Sequence, residues 1–133
     1  MQPPQSASER QRWLVDGMNV IGSRPDGWWR DRRAAMRDLV ADLQSLTQAE
    51  GEELAVVFDG RPFELADAGP VTVEFAPSAD DAIAARAAAD PDPGSLTVVT
   101  SDRELEARVR ACGASVTGSG GFRRRLEAAR GPD

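Results

Sequence analysis

Short apolar runs alternating with helical patterns constrain this chain more than any other feature. Leu54 to Phe58 is an unbroken apolar run that ends in Asp59-Gly60, and Leu96 to Thr100 reads as a second strand. Trp13-Leu14-Val15 leads into Asp16-Gly17 as a strand closed by a turn, Val71 to Phe75 alternates, and Ala114 to Thr117 is a short strand. Between these runs, from about Arg30 to Gln48, Met36, Leu39, Val40, Leu43 and Leu46 recur at helical spacing until Gly51 stops the helix. Ala79 to Ala89 is an Ala-rich helix closed by Asp-Pro-Asp-Pro-Gly. Arg103 to Cys112 is a helix with Leu105, Val109 and Cys112 inward, and Phe122 to Arg130 is a final helix. Strands that are apolar along their whole length need cover on both faces, which intervening helices supply around a parallel sheet. The expected fold class is α/β, a three-layer α/β/α domain with a central, mostly parallel sheet of about five strands. Residues 1–11 read as a disordered tail and residues 12–130 as one domain, with no internal repeat or linker dividing it.

In such sheets ligands bind beyond the carboxyl ends of the strands, so the acids at those ends carry information. Asp16 follows the first strand, Asp59 the second, and Asp102 comes shortly after Leu96 to Thr100, while Asp80 and Asp81 open the helix before that strand. Composition narrows what these acids can do. The 133 residues include no His, no Lys and no Tyr, and a single cysteine, Cys112. Ser-His-Asp catalysis, His- or Cys-cluster metal sites, Schiff-base chemistry and an internal disulfide are therefore excluded. Carboxylates, hydroxyls, amides and arginines remain. Converging carboxylates repel unless a cation joins them, and oxygen-only ligands favour hard cations, Mg²⁺ or Mn²⁺. Each acid also fits ordinary structural roles. Ser101 with Glu104 fits a capping box, Ser78 with Asp81 a looser one, and Asp59-Gly60 is common turn chemistry.

Charge is uneven along the chain, whose formal net charge is −6. Residues 1–37 carry seven Arg against four acids, and residues 107–133 carry six against two. The middle, residues 38–106, carries three Arg against 16 acids. An acidic total argues against a nucleic-acid partner, yet the two basic ends leave room for one positive face beside an acidic site. The start has no apolar signal-peptide core, no run is long enough for a membrane span, and the lone cysteine suits a reducing compartment, so the expected location is cytoplasmic. The Ala/Arg-rich, Lys-free usage points to a GC-rich bacterial genome.

Several segments together resemble the NYN/YacP-like branch of the PIN-like nuclease superfamily. Val15-Asp16-Gly17-Met18-Asn19-Val20-Ile21-Gly22 resembles its opening motif, Val56-Val57-Phe58-Asp59-Gly60 its second acidic strand end, and Ser78-Ala79-Asp80-Asp81-Ala82-Ile83 its acid at a helix start. Val98-Val99-Thr100-Ser101-Asp102-Arg103-Glu104-Leu105 resembles its Thr-Ser-Asp element, and Gly118 to Leu126 its closing Gly-rich turn and helix. The resemblance runs from about residue 13 to 127. It implies a PIN-like fold and Mg²⁺- or Mn²⁺-dependent cleavage of RNA, with products carrying 5′-phosphate. Carried over by position, Asp16, Asp80 and Asp102 would bind metal and Asp59 would join the acidic cluster. Asn19 would orient Asp16 or contact phosphate, and Ser101 would hold a metal-bound water or the Asp102 carboxylate. Asp81 is the alternative to Asp80, which is the favoured ligand.

Arg24, Trp28, Trp29, Arg30, Arg32 and Arg33 follow the first motif, and Arg123-Arg124-Arg125 begin the last predicted helix after Gly118-Ser119-Gly120-Gly121. Guanidinium and aromatic planes stack on bases and Arg pairs with phosphate, so Arg24, Trp28, Arg30, Arg123 and Arg124 are the expected RNA contacts. The same residues also fit a packed Trp and solvated arginines, and the glycines an ordinary turn. The expected partners are RNA and, for added affinity, the ribosome; a homodimer is left open and no membrane is expected. Two other functions compete with the endoribonuclease: a catalytically weak RNA- or ribosome-binding module, and a small-molecule phosphohydrolase. The last lacks an Asp-x-Asp-x-Thr motif.

Overall fold

The computed structural model describes residues 11–65 and 68–130. In chain order it runs through β1 (Arg12–Asp16), α1 (Gly17–Ile21), α2 (Arg32–Glu50), β2 (Glu53–Asp59), β3 (Thr72–Ala76), α3 (Ala79–Ala89), β4 (Leu96–Val99), α4 (Arg103–Ala111), β5 (Ser115–Thr117) and α5 (Ser119–Ala129). The expected tail lies outside the described residues except for Gln11, whose side chain accepts a hydrogen bond from the Thr97 hydroxyl at 3.4 Å.

The five strands form one all-parallel sheet in the order β3-β2-β1-β4-β5. Val15 pairs with Val56 on one side and Val99 on the other, so the first strand of the chain is the central one. Alternation along each strand sorts side chains between two cores. Trp13, Val15, Val56, Phe58 and Val99 pack with α1, α2 and α5, whereas Leu14, Val57 and Val98 pack with α3 and α4. The three-layer α/β expectation holds. The five apolar positions read from the α2 pattern, Met36 to Leu46, are all buried. Asp31 caps that helix by accepting from the Ala34 N–H at 3.0 Å, and Gly51 ends it at φ 69°, a left-handed conformation that glycine adopts without strain. No helix among the described residues is long and apolar enough to cross a membrane.

Three local expectations are corrected. Asp16-Gly17 does not turn: α1 starts directly at Gly17, because a residue without Cβ lets the helix settle onto the Phe58 ring and Val56. The last helix starts at Ser119, three residues before Phe122, with Gly120 and Gly121 inside its first turn. Cys112 packs against the second core as expected, but it lies just beyond the end of α4 and is only half-buried, with its thiol 3.4 Å from the Arg108 carbonyl.

Candidate active site

The chain leaves β1 toward β2 and leaves β4 toward β5, so the strand order reverses between β1 and β4. In parallel α/β sheets the crevice beyond such a reversal is where ligands bind. Asp16 closes β1 there and is only 4% exposed. Its neighbour across the reversal is Thr100, fully buried, whose hydroxyl donates to Asp16 Oδ2 at 2.9 Å and accepts from the Asp102 N–H at 3.2 Å. Burial pushes the Asp16 carboxyl up to about 6; the Thr100 hydroxyl opposes that rise, and the charges of Asp80 and Asp59 add to it.

The remaining acids come from three other segments. Asp59 ends β2 and reaches across to α3, where Oδ1 accepts from the Ala79 N–H at 2.8 Å. Asp80 sits half-buried in the first turn of α3. Burial, then the charges of Asp102 and Asp59, hold its carboxyl above the ordinary range, with Arg108 opposing. Asp81 points elsewhere: it is exposed and pairs with Arg108 at 3.0 Å. Asp102 caps α4 by accepting from the Leu105 N–H at 3.0 Å. The capping box expected of Ser101 and Glu104 does not form, because Ser101 is committed across the crevice. Its N–H donates to Asn19 Oδ1 at 2.9 Å and its hydroxyl oxygen accepts from the Ser119 N–H at 2.9 Å. On the α3 side the looser cap is present, with Ser78 Oγ accepting from the Asp81 N–H at 3.3 Å.

Asn19 is the hinge of this arrangement. Besides the Ser101 N–H, its Oδ1 accepts from the Ser119 hydroxyl at 2.6 Å. A backbone N–H can only donate, which fixes the orientation of the amide and leaves Nδ2 with no partner among the described residues. Thr100 and Ser119 were not among the residues singled out from sequence. Thr100 is a polar end to an otherwise apolar strand, and Ser119 is one small polar residue within a glycine run; both partners lie far away in the chain. Asn19→Ala removes the acceptor shared by Ser101 and Ser119 and strands the buried Ser119 hydroxyl. The variant is expected to lose about 2 kcal/mol in a urea titration, and an unchanged midpoint would contradict the linking role.

Among the described residues no group of three or more carboxylates stands close enough together to enclose a metal ion. Chemically the donor set still suits a hard cation: the oxygens are all carboxylate, and Asp16 and Asp80 are each held up in part by the charges of neighbouring acids. Mg²⁺ commonly takes only one or two direct carboxylates and keeps several waters, so the residues present fit such an ion.

The basic residues divide sharply. Arg24 pairs with Glu127, and Arg123 pairs with Asp26 at 3.2 Å and donates to the Val20 carbonyl at 3.2 Å. Arg125 pairs with Glu50 at 3.0 Å and Glu52 at 2.8 Å and lies 4.7 Å from the Trp13 ring centre. Consecutive helical residues point about 100° apart, so Arg123, Arg124 and Arg125 do not act as one cluster, and only Arg124 is left exposed without a carboxylate partner. Trp28 is half-buried against the core, edge-on to Trp29 at 6.0 Å. Arg24, Trp28, Arg30 and Arg123 line a cavity of about 430 Å³ that also takes in Asp26, Asp31, Asp38 and Asp42, so its charge is mixed.

A parallel α/β sheet with carboxylates from four segments along the carboxyl edge, beside its strand-order reversal, defines a class of proteins that do chemistry at that edge. Within that class the chain belongs to the YacP-like NYN domain family, whose model matches residues 13–132, and which falls among PIN-like nuclease domains. The fold is similar to the crystal structure of a mutant form of Rae1 (YacP) from Bacillus subtilis. Identity is 25% and the TM-score 0.76, over 90% of this chain and 77% of that one. A second Rae1 (YacP) crystal structure from Bacillus subtilis matches with a TM-score of 0.73 at 25% identity, over 90% of this chain and 75% of that one. No curated protein sequence matches.

Proposed function

We propose that this protein is a metal-dependent endoribonuclease that hydrolyses RNA phosphodiester bonds at the carboxyl edge of its sheet. The observation that carries this reading is Asp16, a carboxyl buried at the strand-order reversal and pushed up to about 6 beside other acids. Burying an acid against like charges is costly, and such perturbed carboxyls cluster at functional sites. Asp16, Asp80 and Asp102 would hold Mg²⁺ or Mn²⁺, with Asp59 at the margin. When bound, the cation supplies Lewis-acid polarisation of a phosphoryl oxygen. The chain supplies the rest. Asn19 Nδ2, free to donate, is placed to hold a phosphate oxygen, while Ser101 and Ser119 fix the amide from behind. The acidic cluster would accept the proton of the attacking water. Asp81, turned toward Arg108, is the weaker candidate ligand.

The test is cleavage of a generic end-labelled RNA. Mn²⁺ should support it, chelation should stop it, and the products should carry 5′-phosphate. Asp80→Asn should lose at least about a hundredfold in rate, since it removes a charge that would hold the cation, and Asp81→Asn severalfold less. Equal losses would remove the distinction between the two. The spacing of the carboxylates favours one rival, an RNA- or ribosome-binding module with little catalysis of its own, because no three of the described acids converge. RNA binding without cleavage under any divalent metal would select it.

A further inference from the structure

We propose that the exposed Trp29 and the arginines Arg30, Arg32, Arg33 and Arg37 form a docking strip for single-stranded RNA beside the acidic edge. The inference rests on the reading of that edge as an RNA-cleaving site, but it concerns binding alone. Among the described residues Trp29 is the one large apolar side chain left exposed, at 53%. Its ring stands at 85° to that of Trp28, which is anchored in the core, so the indole is presented edge-supported rather than loose.

The arginines around it, of which Arg30 also lines the neighbouring cavity, differ from that cavity's other arginines. Arg24, Arg123 and Arg130 are each neutralised by a carboxylate. Arg30, Arg32, Arg33 and Arg37 have no carboxylate partner among the described residues, although the chain has an acidic excess. Three of them rest on aromatic rings instead. Arg32 lies 5.8 Å from the Trp28 ring centre, and Arg33 and Arg37 lie 5.0 and 5.3 Å from that of Phe63. Such contacts hold a guanidinium in place without cancelling its charge.

The strip is also in the right place. α2 runs back from the carboxyl edge to begin β2 at the opposite edge, so its first turns, which carry Arg32, Arg33 and Arg37, lie at the carboxyl edge. Trp28 packs beside Gly22, at the end of the helix that begins after Asp16, and Phe63 follows Asp59 by four residues. A flexible strand whose bases are free could stack on Trp29 while its phosphates meet the arginines, and a duplex could not offer its bases in that way.

The test is fluorescence anisotropy of a labelled single-stranded RNA of about a dozen nucleotides, in chelator so that nothing is cut. Trp29→Ala should weaken binding about tenfold, and Trp29→Phe should restore most of it. Each of Arg30→Gln, Arg33→Gln and Arg37→Gln should lower the slope of log affinity against log salt by about 0.7. Arg110→Gln, which removes the same charge from α4 in the other layer, should stay within about twofold of wild type. Arg30 touches neither ring, so Arg30→Gln keeps the test valid if a variant under Phe63 folds poorly. The proposal is overturned if Trp29→Ala and the arginine variants bind like wild type, if duplex RNA binds as tightly as single strand, or if wild type binds no single strand. It is equally overturned if these variants abolish self-association in sedimentation and leave RNA affinity intact. Strip variants that bind normally while Asp16→Asn fails to cleave would sink the strip and keep the nuclease. Lost binding in the variants of a protein that cleaves nothing would do the reverse.

Discussion

Asp16→Asn is expected to abolish RNA cleavage and, in the same protein, to raise the melting temperature of the metal-free form at pH 7. Loss of the buried charge removes a ligand and an electrostatic contribution of several kcal/mol, so the rate should fall by at least about a hundredfold. The stability effect has the opposite sign. Moving the carboxyl from its ordinary 3.8 to about 6 means that the folded state holds the proton more tightly than the unfolded chain does. The stability owed to that proton is complete below the unfolded value and is lost as pH rises toward about 6, where it levels off. Over that window the loss is about 3 kcal/mol. Asparagine carries no such penalty and its Oδ1 can still accept from Thr100, so the variant should melt higher above pH 6 and lose the advantage near pH 4. Melts in chelator at the two pH values, beside a cleavage assay, decide the matter. A variant less stable at pH 7 would show that the buried charge is already satisfied without metal.

Gly17→Ala should be the most damaging single-methyl change near the site. A Cβ on Gly17 would run into the Phe58 ring and approach Val56 Cγ2 at 3.0 Å. Phe58 and Val56 are fully buried, so neither can swing out of the way. Overpacking of this kind costs about 1–3 kcal/mol, and here the strain falls on the bond joining Asp16 to α1, so cleavage should fall with stability. The double variant Gly17→Ala/Phe58→Leu makes room and should be less destabilised than the sum of the single changes. Additive losses in urea titrations would mean that the helix moves and the ring does not resist.

Much of this arrangement was legible from residues alone, and the reasons are physical. Periodicity and end signals are local, so Ala79 to Ala89 and the buried face of α2 could be read directly, and acids at strand ends followed from the parallel sheet. Local signals failed where a distant partner decides. Ser101 has the spacing of a capping residue, yet Asn19 and Ser119 compete for it and Asp102 takes over the cap. Arg24 and Arg123 looked available for phosphate, and acids elsewhere in the chain claim them. The charge pattern misled in the same way. Basic ends and an acidic middle meet across the α2–α5 contact, where Arg125 joins Glu50 and Glu52 and Arg130 joins Asp42.

The strand order has a consequence for when the site can exist at all. β1 pairs with β2 and β4, and Asn19 is tied to a serine 100 residues further along. Forming these contacts requires closing long loops before any of them stabilises the chain, which slows folding. A growing polypeptide would display Asp16 early, but without Thr100 to hold its carboxyl and without Ser119 to lock Asn19. Competence should therefore arrive abruptly, once α5 has docked, rather than accumulate with chain length. A chain cut before Gly118 would keep all four acids and Thr100 but lack α5 and the Ser119 hydroxyl that locks Asn19.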